Sequence, residues 1–339
     1  MSAKIVDEMA VPTSGYLARS GTMPFRVGWT CLEVRWPKVK LVRQFDDFLT
    51  DVVNINQDRL DQLDQHVKAI FNALSRDDGL EPLIRGQIPQ GSWAHRTIIK
   101  PLRGEEFDAD VLLILNRQRA WRATPSRYLD VTYSALANTS AYRSKTVLKS
   151  RCVRVRYAND CHVDIVPFIK GDWFHNASIV NRAEDTFEHC DPERFTSWLH
   201  QKDSRAHGNL RKTIRLLKYV RDRGSAFEVP SVILTSLVGR QVNMGWDLVG
   251  RFDSVSNTFR TLLASLDSYL QLHSSVPAIR DPAGTGTRFD HRWSQREYGD
   301  LRDWIHEYSA IARAAYRDQR RDRSLAAWQE IFGDDFGHG

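Results

Sequence analysis

The chain has 339 residues, 42% apolar and 27% charged, with 48 Lys and Arg against 42 Asp and Glu for a net charge of +6. That balance excludes a collagen, a coiled-coil rod and a largely disordered chain, and at about 150 residues per domain it predicts roughly two domains. A basic surplus permits nucleic acid or nucleotide partners without demanding them.

Four cysteines, Cys31, Cys152, Cys161 and Cys190, form no Cys-x-x-Cys pair. They are too few for a disulfide framework and point to a reducing compartment. Cys161-His162 and His189-Cys190 read more simply as small apolar residues beside ordinary histidines than as a zinc site. The first twenty residues lack the apolar run of a signal peptide. Neither 111–115 nor 165–169 approaches the roughly 18 apolar residues of a membrane span. A soluble, cytoplasmic protein with no membrane partner is expected.

Residues 1–39 are punctuated by Pro12, Gly15, Gly21, Pro24 and Gly28. Beyond a short strand over 25–34 they are set apart as an N-terminal extension. Over 40–75 a helical period runs through Phe45, Phe48, Leu49, Val52 and Val53, and resumes at Leu60, Leu63, Val67, Ile70, Phe71 and Leu74. A helix this long would span two lobes, and Asp77-Asp78-Gly79 ends it. A strand is predicted over 84–88, a short helix over 93–98, a buried strand over 107–115 and a helix over 125–141. Residues 152–157 and 162–169 alternate about a turn at 158–160 and read as a hairpin. From Asp191, a good N-cap, the chain turns helical: 192–199, a stripe from Leu210 to Val220, then 232–242, 259–270 and 304–316, with a loop over 276–289. Strands first and helices after make the fold class α+β, divided into a core over 40–190, a helical lobe over 191–332 and a flexible tail over 333–339.

The chemistry concentrates in Gly91-Ser92, Asp108-Ala109-Asp110 and Asp164. Asp108 and Asp110 are two apart on a strand, so their side chains share a face. Like charges so close repel, and a divalent cation between them removes the conflict; oxygen ligands suit Mg²⁺. The alternative is a solvated strand start beside Glu105 and Glu106. Asp164 sits in the middle of an apolar strand, where a charge must be metal-bound or paired, for instance with Arg154 or Arg156 on the preceding strand. Gly91-Ser92 opens a short helix, where glycine lets the backbone approach a phosphate.

Strand, Gly-Ser, short helix, Asp-x-Asp strand and a third Asp on a hairpin strand together form the pattern of the polymerase-β-like nucleotidyltransferases. QGSWAHRTIIKPLRGEEFDADVLLIL and CHVDIVPFI resemble the bacterial relatives of cyclic GMP-AMP synthase and oligoadenylate synthase, the CD-NTases. VNRAEDTFEHCDPERFTSWL, LRKTIRLLKYVRDR, VPSVILTSLV and AAWQEIFGDDF extend the resemblance to about residues 40–336.

The resemblance implies a mixed-sheet nucleotidyltransferase lobe and a helical C-terminal lobe. It implies Asp108, Asp110 and Asp164 as catalytic metal ligands for two Mg²⁺ (or Mn²⁺) ions, and Gly91, Ser92, Lys218 and Ser231 as triphosphate ligands. Read from the residues alone, Lys218 could be a snorkelling surface lysine and Ser231 a helix N-cap. The implied reaction joins two or three nucleoside triphosphates, ATP, GTP or both among them, into a cyclic second messenger with release of pyrophosphate. The implied setting is antiphage (CBASS) signalling with regulatory or conjugating partner proteins, and Gly339 is a candidate conjugation point. The alternatives are an RNA-acceptor nucleotidyltransferase and a catalytically silent nucleotide-binding relative. Arg313, Arg317, Arg320, Arg321 and Arg323 alternate with Asp318 and Asp322 and read as a solvated helix face. With no zinc thumb in view, this speaks against activation by nucleic acid, and a monomer is expected. Trp93 and Arg96, close to Gly91-Ser92, are candidate base contacts, with Trp93 equally suited to a core.

Overall fold

Residues 40–75 carry Asn54, Ile55 and Asn56 in the middle of their helical pattern, and the chain breaks there. The computed structural model describes residues 40–102, 106–157, 161–171, 176–224, 227–245 and 248–338. In it α1 spans Val42–Phe48 and runs into a π-turn at Leu49–Val53. Asn54 is extended, and the backbone N–H of Lys100 bonds the Val53 carbonyl. Asn56 then caps a new helix, α2, Gln57–Leu74, by accepting from the Arg59 amide at 3.0 Å. The single long helix of the sequence reading is therefore two helices, because two asparagines satisfy the backbone better outside a helix than inside one. The 25–34 strand, the 1–39 extension, the 158–160 turn, Cys31, Glu105 and Gly339 lie outside the described residues.

The strands come next. They are β1 Ile84–Gln90 and β2 Phe107–Leu115, then β3 Thr146–Leu148, β4 Val153–Tyr157 and β5 Cys161–Ile169, and last β6 Ser178–Asn181 and β7 Thr186–His189. They form one sheet in the order β1-β2-β5-β4-β3, with β6 pairing β5 and β7 pairing β6. Only β2 and β5 run parallel; β4 and β5 are antiparallel, as the hairpin reading requires. The β6–β7 hairpin was not foreseen, since its strands are too short to show an alternation. Between β1 and β2 a single-turn α3, Gly91–Ala94, replaces the helix expected over 93–98. Arg96, at φ +54, turns the chain away, and Thr97, Ile98 and Ile99 are buried instead of continuing the helix.

Alternation sorts the sheet's two faces. Ala109, Val111, Leu113, Val163 and Ile165 point toward α2 and toward α4, Arg127–Ala137, and share one apolar cluster with Val67, Ile70, Leu129 and Leu136. The opposite face carries a small apolar patch of Leu112, Val166 and Phe168. The remaining helices are α5 Pro192–Arg205, α6 Asn209–Gly224, α7 Ser231–Arg240, α8 Val255–Gln271, α9 Gln295–Arg317 and α10 Arg321–Phe332. Asp191 caps α5 as expected, accepting from the Arg194 amide.

These helices build a second apolar cluster, and Phe45, Phe48 and Val53 of the first helical segment belong to it. α1 and α2 thus feed different cores. Phe336 is fully buried against Phe45 and Phe48, so the segment after α10 is anchored where the sequence reading expected a free tail. The arginines from Arg313 to Arg323 are all exposed, but Asp318 is extended and splits them between α9 and α10, correcting the single helix. Among the described residues no helix is long and apolar enough to cross a membrane.

Candidate active site

Strand register places the carboxylates. Gln90 on β1 pairs with Asp110 on β2, Asp110 with Asp164 on β5, and Asp164 with Arg154 on β4. These four residues form one row across the sheet, on the face away from α2 and α4. Asp108, two residues before Asp110, shares that face. Asp164 is buried, and Arg154 forks onto it, Nε donating to Oδ1 at 2.7 Å and Nη2 to Oδ2 at 2.8 Å. Arg154 Nη2 also lies 3.5 Å from Asp108 Oδ1, whose side chain is 61% exposed. The arginine considered for Asp164 from sequence is therefore in place, together with the two other carboxylates.

Asp110 has no ion pair of its own among the described residues. Burial pushes its carboxyl up to about 6, and the charges of Asp164 and Asp108 add to the push. Gly91 lies directly against it. At φ +61, a Cβ on Gly91 would overlap Asp110 Oδ2 and sit 3.3 Å from its Cγ. Glycine is thus demanded twice, by backbone conformation and by the closeness of the carboxylate.

A cleft of about 620 Å³ opens over this row, within the range of small-ligand sites. Gly91, Ser92, Asp110, Asp164, Lys218 and Ser231 all line it, whereas Asp108 does not. Lys218 is 4% exposed, so it is no snorkelling lysine. Its Nζ donates to the Thr97 carbonyl at 3.0 Å, and burial draws it down to about 7, with the Arg221 charge adding. Ser231 is the first residue of α7, behind Pro230; its hydroxyl accepts from Arg221 at 3.2 Å and caps nothing. Trp93 packs on the sheet core and Arg96 is exposed; neither lines the cleft.

Sequence reasoning missed several lining residues. Arg151 forks onto Glu188 at 2.7 and 2.5 Å, and Arg292 lies close enough to both to feel their charge. His95 stacks on Phe195, centroids 5.0 Å apart, and burial lowers its imidazole to about 4. Cys152 lines the cleft beside Asp164, and burial raises its thiol. Glu188 and His189 stand on the unforeseen β7, so their position could not be inferred; Arg151 and Cys152 immediately precede β4 and were within reach of the alternation.

The donor set is three carboxylates on one face with one guanidinium among them. Hard oxygen ligands of this kind fit Mg²⁺ or Mn²⁺, and the upward push on Asp110 reflects first its burial and then the charges of Asp164 and Asp108 beside it. Among the described residues no three His, Cys, Asp or Glu side chains are already drawn together as a cage, because Arg154 holds Asp164 and Asp108 faces outward.

Comparisons with known proteins bear on the domain and the fold. The profile of the Second Messenger Oligonucleotide or Dinucleotide Synthetase domain matches residues 39–203. A cyclic AMP-AMP-AMP synthase of an Acinetobacter strain is 24% identical over 254 residues, 73% of this chain and 71% of that protein. A c-di-GMP synthase of Roseivirga ehrenbergii is 23% identical over 251 residues, 66% of this chain and 65% of its own length. Among solved structures, CdnC of Escherichia coli MS115-1 with ATP superposes at a TM-score of 0.66 with 18% identity, covering 87% of this chain and 98% of that one. Apo DncV of Vibrio cholerae superposes at 0.68 with 14% identity, covering 88% and 95%. The α+β architecture expected from sequence is the architecture of these folds. Residues 39–203 thus carry a Second Messenger Oligonucleotide or Dinucleotide Synthetase domain, and the chain has the fold of CdnC and DncV.

Proposed function

We propose that the protein joins two or three nucleoside triphosphates, ATP or GTP among them, into a cyclic oligonucleotide, releasing pyrophosphate at each step. One observation carries this reading: the sheet row that sets Asp110 beside Asp164 opens onto the same cleft as Gly91-Ser92, Lys218 and Ser231. In each step a ribose hydroxyl oxygen forms a bond to the α-phosphorus of a second nucleotide. The bond from that phosphorus to the bridging oxygen breaks, and pyrophosphate leaves with its electron pair. Asp108, Asp110 and Asp164 would hold two Mg²⁺ or Mn²⁺ ions, which would lower the pKa of the attacking hydroxyl and offset the charge of the leaving phosphates. Asp164 would accept the hydroxyl proton through an oxygen that Arg154 has released. Gly91 lets the backbone close on the phosphates, Ser92 and Ser231 donate hydroxyls, and Lys218 supplies a cation from the helical side. The two apolar clusters act as lobes that part near residue 190, with residues 41–53 joining the helical one, and the cleft lies between them.

The setting is second-messenger signalling in antiphage defence, in the cytoplasm. CdnC has also been solved in complex with a HORMA protein, and a regulatory protein partner is proposed here on that analogy. The test is incubation with all four labelled triphosphates, Mg²⁺ or Mn²⁺ and no RNA, followed by phosphatase. A phosphatase-resistant product that vanishes in Asp108→Ala/Asp110→Ala is the expected result. Product formed only with added RNA would replace this reading with an RNA-acceptor nucleotidyltransferase. No turnover in any condition would leave a silent relative.

A further inference from the structure

Asp164 lies in the middle of the most buried strand, and the sheet gives it cross-strand neighbours of opposite sign: Asp110 on β2 and Arg154 on β4. Directly opposed side chains on one face have Cβ atoms about 4.5–5.5 Å apart, so the guanidinium reaches Asp164 without leaving its row. It reaches with its planar fork, one nitrogen to each oxygen, at 2.7 and 2.8 Å. The same Nη2 stands 3.5 Å from Asp108. One guanidinium thus serves two of the three carboxylates. It covers both oxygens of Asp164, the atoms that a cation shared with Asp110 requires.

We propose that Arg154 is the resident counter-cation of this site, competing with the divalent cation for Asp164. Cation loading is thereby ordered: Asp108 and Asp110 take the ion first, and Asp164 joins only as the guanidinium releases an oxygen. The proposal rests on reading the three carboxylates as the cation site. Its physical basis is that a buried carboxylate without a partner is costly, and breaking a buried pair strands the remaining charge. Arg154 keeps the empty site folded, and it raises the barrier to a bare ion. An ion that arrives with a triphosphate brings additional oxygen ligands and displaces the arm more readily. The site therefore loads with nucleotide in preference to free cation.

The test measures Mn²⁺ binding to the full chain without nucleotide, by electron paramagnetic resonance of free Mn²⁺. Thermal unfolding in EDTA and in Mn²⁺ runs alongside. The proteins are wild type, Arg154→Gln, Arg154→Lys and Asp110→Asn. Arg154→Gln is expected to bind Mn²⁺ about tenfold or more tightly than wild type, as removal of a competing charge requires. It should also unfold at a lower temperature in EDTA, with Mn²⁺ restoring the loss. Arg154→Lys, which keeps the charge and loses the fork, should fall between them, and it carries the comparison if Arg154→Gln does not fold in EDTA. An arginine that merely orients Asp164 gives the opposite sign, a 10- to 100-fold weaker affinity on its removal. That result, or an unchanged affinity in both Arg154 variants, overturns the proposal. If Asp110→Asn abolishes Mn²⁺ binding while the Arg154 variants leave it unchanged, the counter-cation role alone has failed. If Asp110→Asn leaves binding intact, the cation-site reading has failed and the proposal falls with it.

Discussion

Lys218 is the residue at which stability and ligand binding should be seen to oppose each other. It is 4% exposed, and its ammonium donates to the carbonyl and, at 3.4 Å, to the hydroxyl of Thr97. Among the described residues no carboxylate stands within ion-pair distance of it. Burial draws its pKa from 10.5 to about 7. At roughly 1.4 kcal/mol per tenfold change, holding the group at pH 7 costs the folded state about 4 kcal/mol relative to the unfolded chain. Lys218→Met removes that cost and fills a similar volume, but it strands the Thr97 carbonyl, for about 2 kcal/mol. The ligand-free variant should therefore be more stable than wild type by about 2 kcal/mol in urea unfolding at pH 7.

The sign of the pH dependence follows. The folded pKa lies below the unfolded value, so the stability linked to Lys218 is present above pH 10.5 and is lost as pH falls through about 7. The advantage of Lys218→Met should be full at and below pH 7 and shrink steadily toward pH 10.5. Binding of a non-hydrolysable triphosphate should move the other way. A charge-assisted hydrogen bond to phosphate is worth about 1.5–3 kcal/mol, so calorimetry should read a Kd about 10- to 100-fold weaker. A variant that is destabilised at pH 7, with a flat pH difference and unchanged nucleotide affinity, would refute the reasoning and reduce Lys218 to a structural tie to Thr97.

Three other perturbations test neighbouring features. Asp110→Asn should cut product formation at least about 100-fold, since cation stabilisation of the transition state is worth several kcal/mol. In EDTA it should be more stable than wild type by up to about 3 kcal/mol, the cost implied by a carboxyl raised from 3.8 to about 6. That gain should appear as pH rises from about 4 through about 6, where the wild type loses stability, and be absent below pH 4; equal stability at pH 8 would contradict the burial of this carboxylate among like charges. Gly91→Ala should lower activity more than stability, because the new methyl strikes Asp110 at φ +61; normal activity with a lowered Tm would contradict the close approach. Gly239→Ala should cost about 1–3 kcal/mol in urea unfolding by driving a methyl into Trp198, whose Cζ3 and Cζ2 lie 3.1 and 3.3 Å from the Cβ position. Unchanged stability would show that α5 and α7 are not packed there as described.

The carboxylates were legible because a period of two is a local property. Asp108 and Asp110 must share a face once 107–115 is a strand, and a charge inside a run such as Val163-Asp164-Ile165-Val166 needs an explanation in any fold. What joins them is not local. Pairing β2 with β5 in parallel, so that Asp110 meets Asp164, skips β3 and β4 in sequence, and no residue pattern within either strand states that crossover. Arg154 could be named as a partner for Asp164 because the β4–β5 hairpin fixes their register through a short turn. Its reach to Asp108 could not, since that depends on β2 being the next strand over. The same reasoning separates Asn54 from the helical residues around it. The apolar period continues on both sides of the break, but a period does not say which core each half enters, and here the halves enter different ones.

The net charge of +6 is uninformative in the same way, because what matters is which cations the fold removes from water. The arginines from Arg313 to Arg323 remain solvated on α9 and α10, where screening leaves them little to do. Arg154, Arg151 and Lys218 are drawn into or beside the cleft at the expense of desolvation. A folded chain retains such buried cations where an anion offsets them: Asp164 for Arg154 and Glu188 for Arg151. For Lys218 the described residues offer no carboxylate within ion-pair distance, Asp222 and Asp110 acting on it only from further away, which is why a triphosphate is the group proposed for it.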